Sequence, residues 1–305
     1  MKNKILTTFL LLSGLTTFGQ INMKDSTAQV ITYWEKGDKQ NYSVTAEKIK
    51  IKGTDTASRE KTTYNVQITV LSKSEKSYTI EWLYKDIKSN SQNAKVQKLL
   101  NINKDMKVIF KTDELGTFIE VTNWKEIKDY IQKTTSILRK DFQGIPEMDN
   151  VLKQIEGIYS TKEAIESVSI KDIQQFHTFH GAKYKLGEVL EEKLKVPNII
   201  GTEPFDSDLT IYLDEINEKD NNFIIRATQI VNKEQLTNAM FNYFTTMAKN
   251  MKVDPPNRED LKALGNETLT ASRIHGTGWV VYSIQTTTIT SDNVKNIEER
   301  IIELQ

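Results

Sequence analysis

Several stretches of the chain alternate apolar and polar residues with a period of two. The clearest stretch places apolar residues at every second position on both sides of a polar turn: Tyr64, Val66, Ile68, Val70, Tyr78, Ile80, Trp82 and Tyr84. Because successive side chains of a strand point to opposite faces, this pattern predicts a half-buried antiparallel hairpin. The stretch KVIFKTDELGTFIEV predicts a second hairpin with Gly116 in its turn.

The period changes to that of a helix after residue 122. Asn123 and Glu126 have the three-residue spacing of a capping box, and apolar residues then recur at helical intervals in three runs. Pro146 stands at the start of the second run, where a helix tolerates proline. These runs predict a helical segment over residues 123–176.

The later part of the chain repeats the order of the first strands. At an offset of 145 positions, residues 62–86 align with residues 207–231 in both their alternation and their polar turns. The aligned pairs include Val66 with Ile211 and Ile80 with Ile225. With a further shift, Gly116 meets Gly278 in a second Gly-turn hairpin. The shared order predicts an internal duplication.

The second copy contains a helix that the first copy lacks, predicted over residues 233–251 and capped by Asn232. One face of this helix carries large apolar residues: Leu236, Met240, Tyr243, Phe244, Met247 and Met251. Packing in an ordinary core is the commoner role for such a face. Since methionine and aromatic side chains accommodate varied apolar shapes, the same six residues are our candidate wall of a ligand-binding site.

These patterns predict an α+β protein with two duplicated antiparallel β units, in a curved sheet or half-barrel, and a helical segment between them. The first unit covers residues 20–122 and the second covers residues 177–305. Residues 293–304 fit either a helix or a strand, and the Thr-rich run before them favours a strand because that run needs a partner. We expect one integrated globular domain.

The first nineteen residues have the layout of a secretory signal peptide. Lys2 and Lys4 precede an apolar segment over residues 5–15, which is too short to span a bilayer. Cleavage after Gly19 would leave Gln20 at the new terminus. The sequence contains no cysteine, which excludes a lipid-modified cysteine, disulfides, thiolate metal sites and a cysteine nucleophile. We therefore expect a soluble extracytoplasmic protein, periplasmic or secreted, without a lipid anchor.

Composition and motifs exclude several functions. The 41 basic and 41 acidic side chains give no net charge, so the chain has no basic field for nucleic acid. The rest of the sequence also contains no apolar run long enough to span a membrane. The sequence lacks P-loop, GxGxxG, HExxH and GxSxG motifs, and it predicts no cofactor and no catalytic residues. Paired carboxylates occur in predicted turns, where we expect them to be solvated.

The chain has three histidines, and two of them stand three residues apart. His177 and His180 would share a face only on a helix, and here a helix gives way to a strand. A metal site also needs a third and usually a fourth ligand, and His275 lies in a distant turn. We therefore predict no metal site, and we expect these histidines to lie at the surface or to be partly buried.

The segment EKGDKQNYSVT and the Gly-turn hairpins resemble exported β-rich bacterial proteins of unknown function that carry a cleavable signal peptide. The resemblance implies a soluble, duplicated antiparallel sheet outside the cytoplasm and supplies no catalytic residues.

Three functional hypotheses remain. The first is a non-enzymatic periplasmic or secreted protein that binds an apolar or amphipathic ligand, such as a lipid, or a cell-envelope component or protein. The second is a structural or protein-interaction module of the envelope that uses its sheet edges. The third is a hydrolase with an unrecognised site. A large apolar cavity would favour the first, a filled core with exposed flat strands the second, and a cleft joining carboxylates to histidine the third.

Overall fold

A computed structural model describes residues 20–198, 201, 203–260 and 264–305. The predicted signal peptide, residues 1–19, lies outside the described residues. The strands are β1 (Ile21–Asn22), β2 (Thr27–Gln29), β3 (Lys39–Lys52), β4 (Asp55–Lys73), β5 (Ser77–Ser89), β6 (Lys107–Asp113), β7 (Phe118–Val121), β8 (Lys183–Lys185), β9 (Val189–Val196), β10 (Phe205–Asn217), β11 (Asn222–Val231), β12 (Gly265–His275), β13 (Val280–Ser291) and β14 (Val294–Leu304). The helices are α1 (Ala94–Leu100), α2 (Trp124–Asp141), α3 (Pro146–Ile158), α4 (Lys162–Ala164), α5 (Lys171–His177) and α6 (Lys233–Met251).

Shorter helical turns complete the structure: 3-10 turns at Asn101–Asn103 and Arg258–Asp260, and a π turn at Ile165–Ser169 that joins α4 to α5. None of the described helices is both long and apolar enough to cross a membrane.

One antiparallel sheet of eleven strands dominates the fold, in the order β7-β6-β5-β4-β3-β14-β13-β12-β11-β10-β9. The order divides into two meanders, an N-terminal half (β3–β7) and a C-terminal half (β9–β14), which meet where β3 pairs with β14. Strand β14 also pairs with the Thr-rich β13, so the preference for a strand at the chain end is confirmed. A separate small sheet has the order β1-β2-β8.

The hairpin predicted from alternation is β4–β5, and its register places Ile68 opposite Trp82 and Val70 opposite Ile80. These residues are buried on one face of the sheet, which we call the inner face. Period-two alternation therefore identified both the strands and their buried side.

The offset of 145 positions is wrong by two residues on the first strand of the repeated hairpin. Val66 lies opposite Tyr84, whereas Ile211 lies opposite Ala227 and not opposite Gln229. The difference arises because the two hairpins carry their β-bulges at different distances from the turn. A shift of two keeps each side chain on its own face, and the duplication itself stays a prediction.

The hydrophobic core lies between helices α2 to α5 and the inner face of the sheet, mainly that of the N-terminal half, and it also includes Phe223, Ile225 and Ile302 of the C-terminal half. Phe176 of α5 lies at its centre, with its ring centroid 5.5 Å from that of Tyr42 and 5.6 Å from that of Trp82. Large aromatic rings bury more apolar area than any other side chains, so this cluster is a main source of stability.

Candidate functional site

The side chains on the inner face of the C-terminal half become more polar along the strands. Neighbouring residues on β11 to β14 form cross-strand rows, and the row nearest the core contains Ile225, Ser272, Ser283 and Ile302. The next row contains Ala227, Thr270, Gln285 and Arg300, and the last contains Gln229, Thr268, Thr287 and Glu298. The inner face therefore passes from a mixed row of isoleucine and serine to a fully polar row within two steps.

A cleft of about 270 Å³ lies over the polar rows, between them and α5. Its floor includes Gln229, Thr268 and Thr287, and its other side includes Lys171 and Gln174. Side chains on the floor bond to one another, with the Thr268 and Thr287 hydroxyls 2.9 Å apart. Hydrogen-bonding groups therefore line this cleft, and none of the six residues of the candidate wall lines it.

Gln175 of α5 contributes a buried amide to the cleft. Its Nε2 donates to Ser283 Oγ at 3.0 Å and to the carbonyl oxygen of Arg300 at 3.2 Å. The residue is only 1% exposed, and its Oε1 accepts no hydrogen bond from the protein. An unpaired buried acceptor costs free energy, and Gln175 lines the cleft, so a donor that reached this oxygen from the cleft would remove that cost.

A buried ion pair closes the inner end of the cleft. Arg300 Nε lies 2.8 Å from Asp172 Oδ1, and the Tyr64 hydroxyl donates to Asp172 Oδ2 at 2.7 Å. Burial acts to lower the pKa of Arg300, but the carboxylate of Asp172 acts in the opposite sense and the pKa is raised overall. Burial, with Asp172 adding to it, raises the pKa of Tyr64 well above its ordinary value. The cluster thus holds one cation and one anion that fix α5 to the sheet.

Beyond this pair lies a second cavity of about 170 Å³, bounded by Tyr84, Leu100, Met106 and Arg300. Arg300 and Lys171 line both spaces.

Asp172, Gln175 and Arg300 were not predicted from the sequence. A signal for Arg300 did exist, since Ile302 is buried on the inner face and the alternation of β14 carries Arg300 and Glu298 to that same face. Charged residues at core-facing positions of a strand indicate either a buried pair or an uncovered surface.

The six residues of the candidate wall all lie on α6, and the structure places most of them at the surface. Tyr243, Phe244, Met247 and Met251 are 37–66% exposed, while Leu236 and Met240 are partly buried. Core packing, which the pattern favoured, is therefore wrong for this face.

Helix α6 packs instead through small residues. The buried residues of the helix are Thr237 and Ala248, and the Thr237 hydroxyl accepts a hydrogen bond from the Leu264 amide at 3.0 Å. The helix begins two residues after Val231, which follows Gln229 on the same face of β11. Its amino-terminal end therefore adjoins the polar row that floors the cleft.

The two histidines are buried and hold two turns together, so the expectation of surface or partly buried side chains is wrong for them. His177 Nδ1 lies 2.8 Å from the carbonyl oxygen of Gly116, and His180 Nε2 lies 2.9 Å from that of Gly278. Their ring centroids are 4.9 Å apart. We call this pair the histidine clamp, because one turn belongs to each half of the sheet.

The clamped turns share one geometry. In each, the glycine amide bonds back three residues, to Asp113 in one turn and to His275 in the other. Gly116 and Gly278 have φ of +98° and +85°. A Cβ on Gly116 would collide with the side chain of Thr32, and a Cβ on Gly278 would collide with the carbonyl oxygen of Ile31. Only glycine avoids both problems.

Burial keeps both imidazoles of the clamp uncharged. It lowers the pKa of His177 well below its ordinary value, and the neighbouring His180 adds to this effect. It lowers the pKa of His180 to about 4. Among the described residues, no group of three or more His, Asp or Glu is arranged to hold a metal ion.

No protein-family model and no curated protein sequence matches the chain. One solved structure that resembles it comes from a study of lipid–protein interactions in lipovitellin, with a TM-score of 0.42 and 12% identity. The match covers 89% of this chain and 25% of the lipovitellin chain, so this chain spans about a quarter of that protein's length.

Proposed function

We propose that the protein is a non-enzymatic, extracytoplasmic binding protein for an amphipathic ligand such as a lipid or another cell-envelope component. The observation that carries the proposal is the polar cleft on the inner face of the C-terminal half. Helix α6 starts beside this cleft and carries exposed apolar residues from Tyr243 onward. A polar cleft and an apolar surface on the neighbouring helix match the two parts of an amphipathic molecule.

The size of the cleft supports this division. Sites for drug-sized ligands usually enclose about 300–1,000 Å³. A cleft of about 270 Å³ accommodates a polar head group but not a complete lipid. An acyl chain would therefore lie outside it, and α6 offers Tyr243, Phe244 and Met247 for that contact.

Export is part of the proposal and rests on residues 1–19. The charged head, the short apolar segment and the small-residue end would direct the chain out of the cytoplasm. Intact-mass measurement of exported protein should place the mature terminus at Gln20 or within about two residues of it. Retention of Met1 would contradict this part of the proposal.

The binding function is tested on purified mature protein. Organic extraction with mass spectrometry should recover an amphipathic molecule, and a fluorescent fatty-acid probe should bind and be displaced by unlabelled lipid. Met247→Asp should weaken probe binding about 10-fold or more, since it places a charge on the apolar face. Asn250→Asp adds the same charge to an exposed polar position of the same helix and should have little effect.

The exposure of Met247, 40%, makes this test informative, because the substitution does not place a charge in a core. Circular dichroism should confirm that both variants are folded. Absence of an extractable ligand and of probe binding by folded protein would reject the function.

One observation favours a second candidate, a protein-interaction module. Strand β9 is an edge of the large sheet, and its exposed residues include Val189 and Leu190. Edge strands can pair with a strand of another chain, although the charged residues of β9 oppose this. Because the chain lacks cysteine, Glu191→Cys introduces a unique crosslinking site on this edge, and specific capture of an envelope protein there would support the module.

A further inference from the structure

We propose that the group bound in the cleft is uncharged and rich in hydroxyl groups, as a sugar or polyol is. This inference rests on the proposed function and specifies the polar part of its ligand. Three features of the cleft carry it: its paired charges, its amide and hydroxyl lining, and the unpaired oxygen of Gln175.

The charged side chains on the inner face of the cleft are paired. The cations are Lys48, Lys171 and Arg300, and the carboxylates that face them are Glu298 and Asp172. Lys48 and Lys171 share Glu298, with Nζ to carboxylate distances of 3.6 and 3.8 Å, and Arg300 Nε lies 2.8 Å from Asp172. An ionic head group would have to compete with these pairs, whereas an uncharged one leaves them in place.

The remaining polar lining is made of groups that both donate and accept hydrogen bonds. It includes Gln174, Gln175, Gln229, Thr268, Gln285 and Thr287. A hydroxyl group likewise donates one hydrogen bond and accepts two, so each hydroxyl of a sugar can satisfy and be satisfied by such neighbours. Phosphate and carboxylate groups only accept, and they would use half of this capacity.

The orientation of the Gln175 amide is fixed by its own hydrogen bonds. Nε2 faces the Arg300 carbonyl oxygen, which can only accept, so Oε1 is the atom that faces no donor. A ligand O–H that donates to Oε1 would remove this deficit, and a group without a donor would not.

The test compares amphiphiles that share one alkyl chain, each below its critical micelle concentration. Titration calorimetry on the mature chain should show an alkyl glucoside binding about 10-fold or more tightly than the alkyl sulfate or the alkyl phosphocholine, a difference of about 1.4 kcal/mol. Methyl glucoside, which has the sugar without the chain, should bind weakly.

A matched pair of variants assigns the preference to Gln175. Gln175→Met keeps the length of the side chain but removes its polar atoms, and it should remove most of the preference for the glucoside. Binding of the alkyl sulfate should change little. Gln132→Met, at an exposed position of α2, should leave both unchanged. Thermal melts of both variants should confirm folding.

The outcomes separate this inference from the function on which it rests. Equal binding of the three head groups, or a glucoside preference that survives in folded Gln175→Met, would overturn the inference and leave amphiphile binding in place. Methyl glucoside binding as tightly as the alkyl glucoside would support the recognition of hydroxyl groups and overturn the amphipathic function. No binding of any probe would reject both.

Discussion

The two halves of the large sheet present the same inner face to two different environments. In the N-terminal half, inward positions carry Val66, Ile68, Ile80, Trp82 and Phe110, and helices cover them. In the C-terminal half, Phe223, Ile225 and Ile302 join the same core, and the alternation then leads to Gln229, Thr268, Gln285 and Thr287, above which a cleft lies. An inward position on a sheet thus becomes core or cleft lining according to its side chain and to how closely a helix covers it.

The largest expected effect is on the free energy of unfolding, which should fall much more for a substitution at an inward position of the N-terminal half than for one in the C-terminal half. Trp82→Ala should lower the free energy of unfolding by about 4 kcal/mol, because it removes a fully buried aromatic side chain and leaves a cavity. Gln285→Ala, at an inward position of the other half, should cost about 1 kcal/mol or less, the value of one hydrogen bond to Thr270. Urea denaturation measures both, and similar losses would contradict the distinction between core and cleft.

The next effect concerns the histidine clamp between the halves. The folded-state pKa of His180 is lowered to about 4 from an ordinary value of about 6.5, so the unfolded chain binds a proton first as the pH falls. The contribution of His180 to the free energy of unfolding is complete above about pH 6.5. It is lost as the pH falls to about 4, which lowers that free energy by about 3 kcal/mol.

Chemical denaturation at several pH values measures this loss. His180→Gln keeps an uncharged donor for the Gly278 carbonyl oxygen and should flatten the pH dependence in that window, which carboxylates alone would not explain. An unchanged profile in this variant would show that the clamp does not titrate on unfolding.

A smaller effect compares the buried ion pair with the exposed rim of the cleft. Asp172→Asn should destabilise the protein by about 2 kcal/mol, because it leaves Arg300 without its carboxylate while keeping a hydrogen-bond acceptor for Tyr64. Glu298→Gln should cost about 0.5 kcal/mol or less, since its partners Lys48 and Lys171 are largely solvated. Thermal denaturation would detect the difference, and equal costs would argue against a buried role for Asp172.

The smallest expected effect is on α6. Met247→Asp should change the free energy of unfolding by about 0.5 kcal/mol or less, because the side chain is exposed and lies outside the core. Ala248→Asp, at the adjacent buried position, should cost several-fold more. Urea denaturation of the pair would show whether the apolar face of α6 is free, and a large loss for Met247→Asp would place that face in a core.

Local patterns determined the hairpins β4–β5 and β6–β7, the capped helix α6 and the inward side of β4 and β5. Each depends on residues close together in the sequence, because alternation and helical spacing follow directly from backbone geometry. Asn232, for example, caps α6 by accepting from the Gln235 amide at 3.0 Å, an interaction within four residues.

Only the tertiary structure decided what those inward faces meet. Local sequence offered no hydrogen-bond partners for the two histidines, yet the carbonyl oxygens of Gly116 and Gly278 approach them from 61 and 98 residues away. The apolar face of α6 resembled a core face, but Thr237 and Ala248 are small enough for close packing and turn it outward. Arg300 and Asp172 meet across 128 positions for the same reason, since burial and pairing depend on how helices settle on the sheet and not on local periodicity.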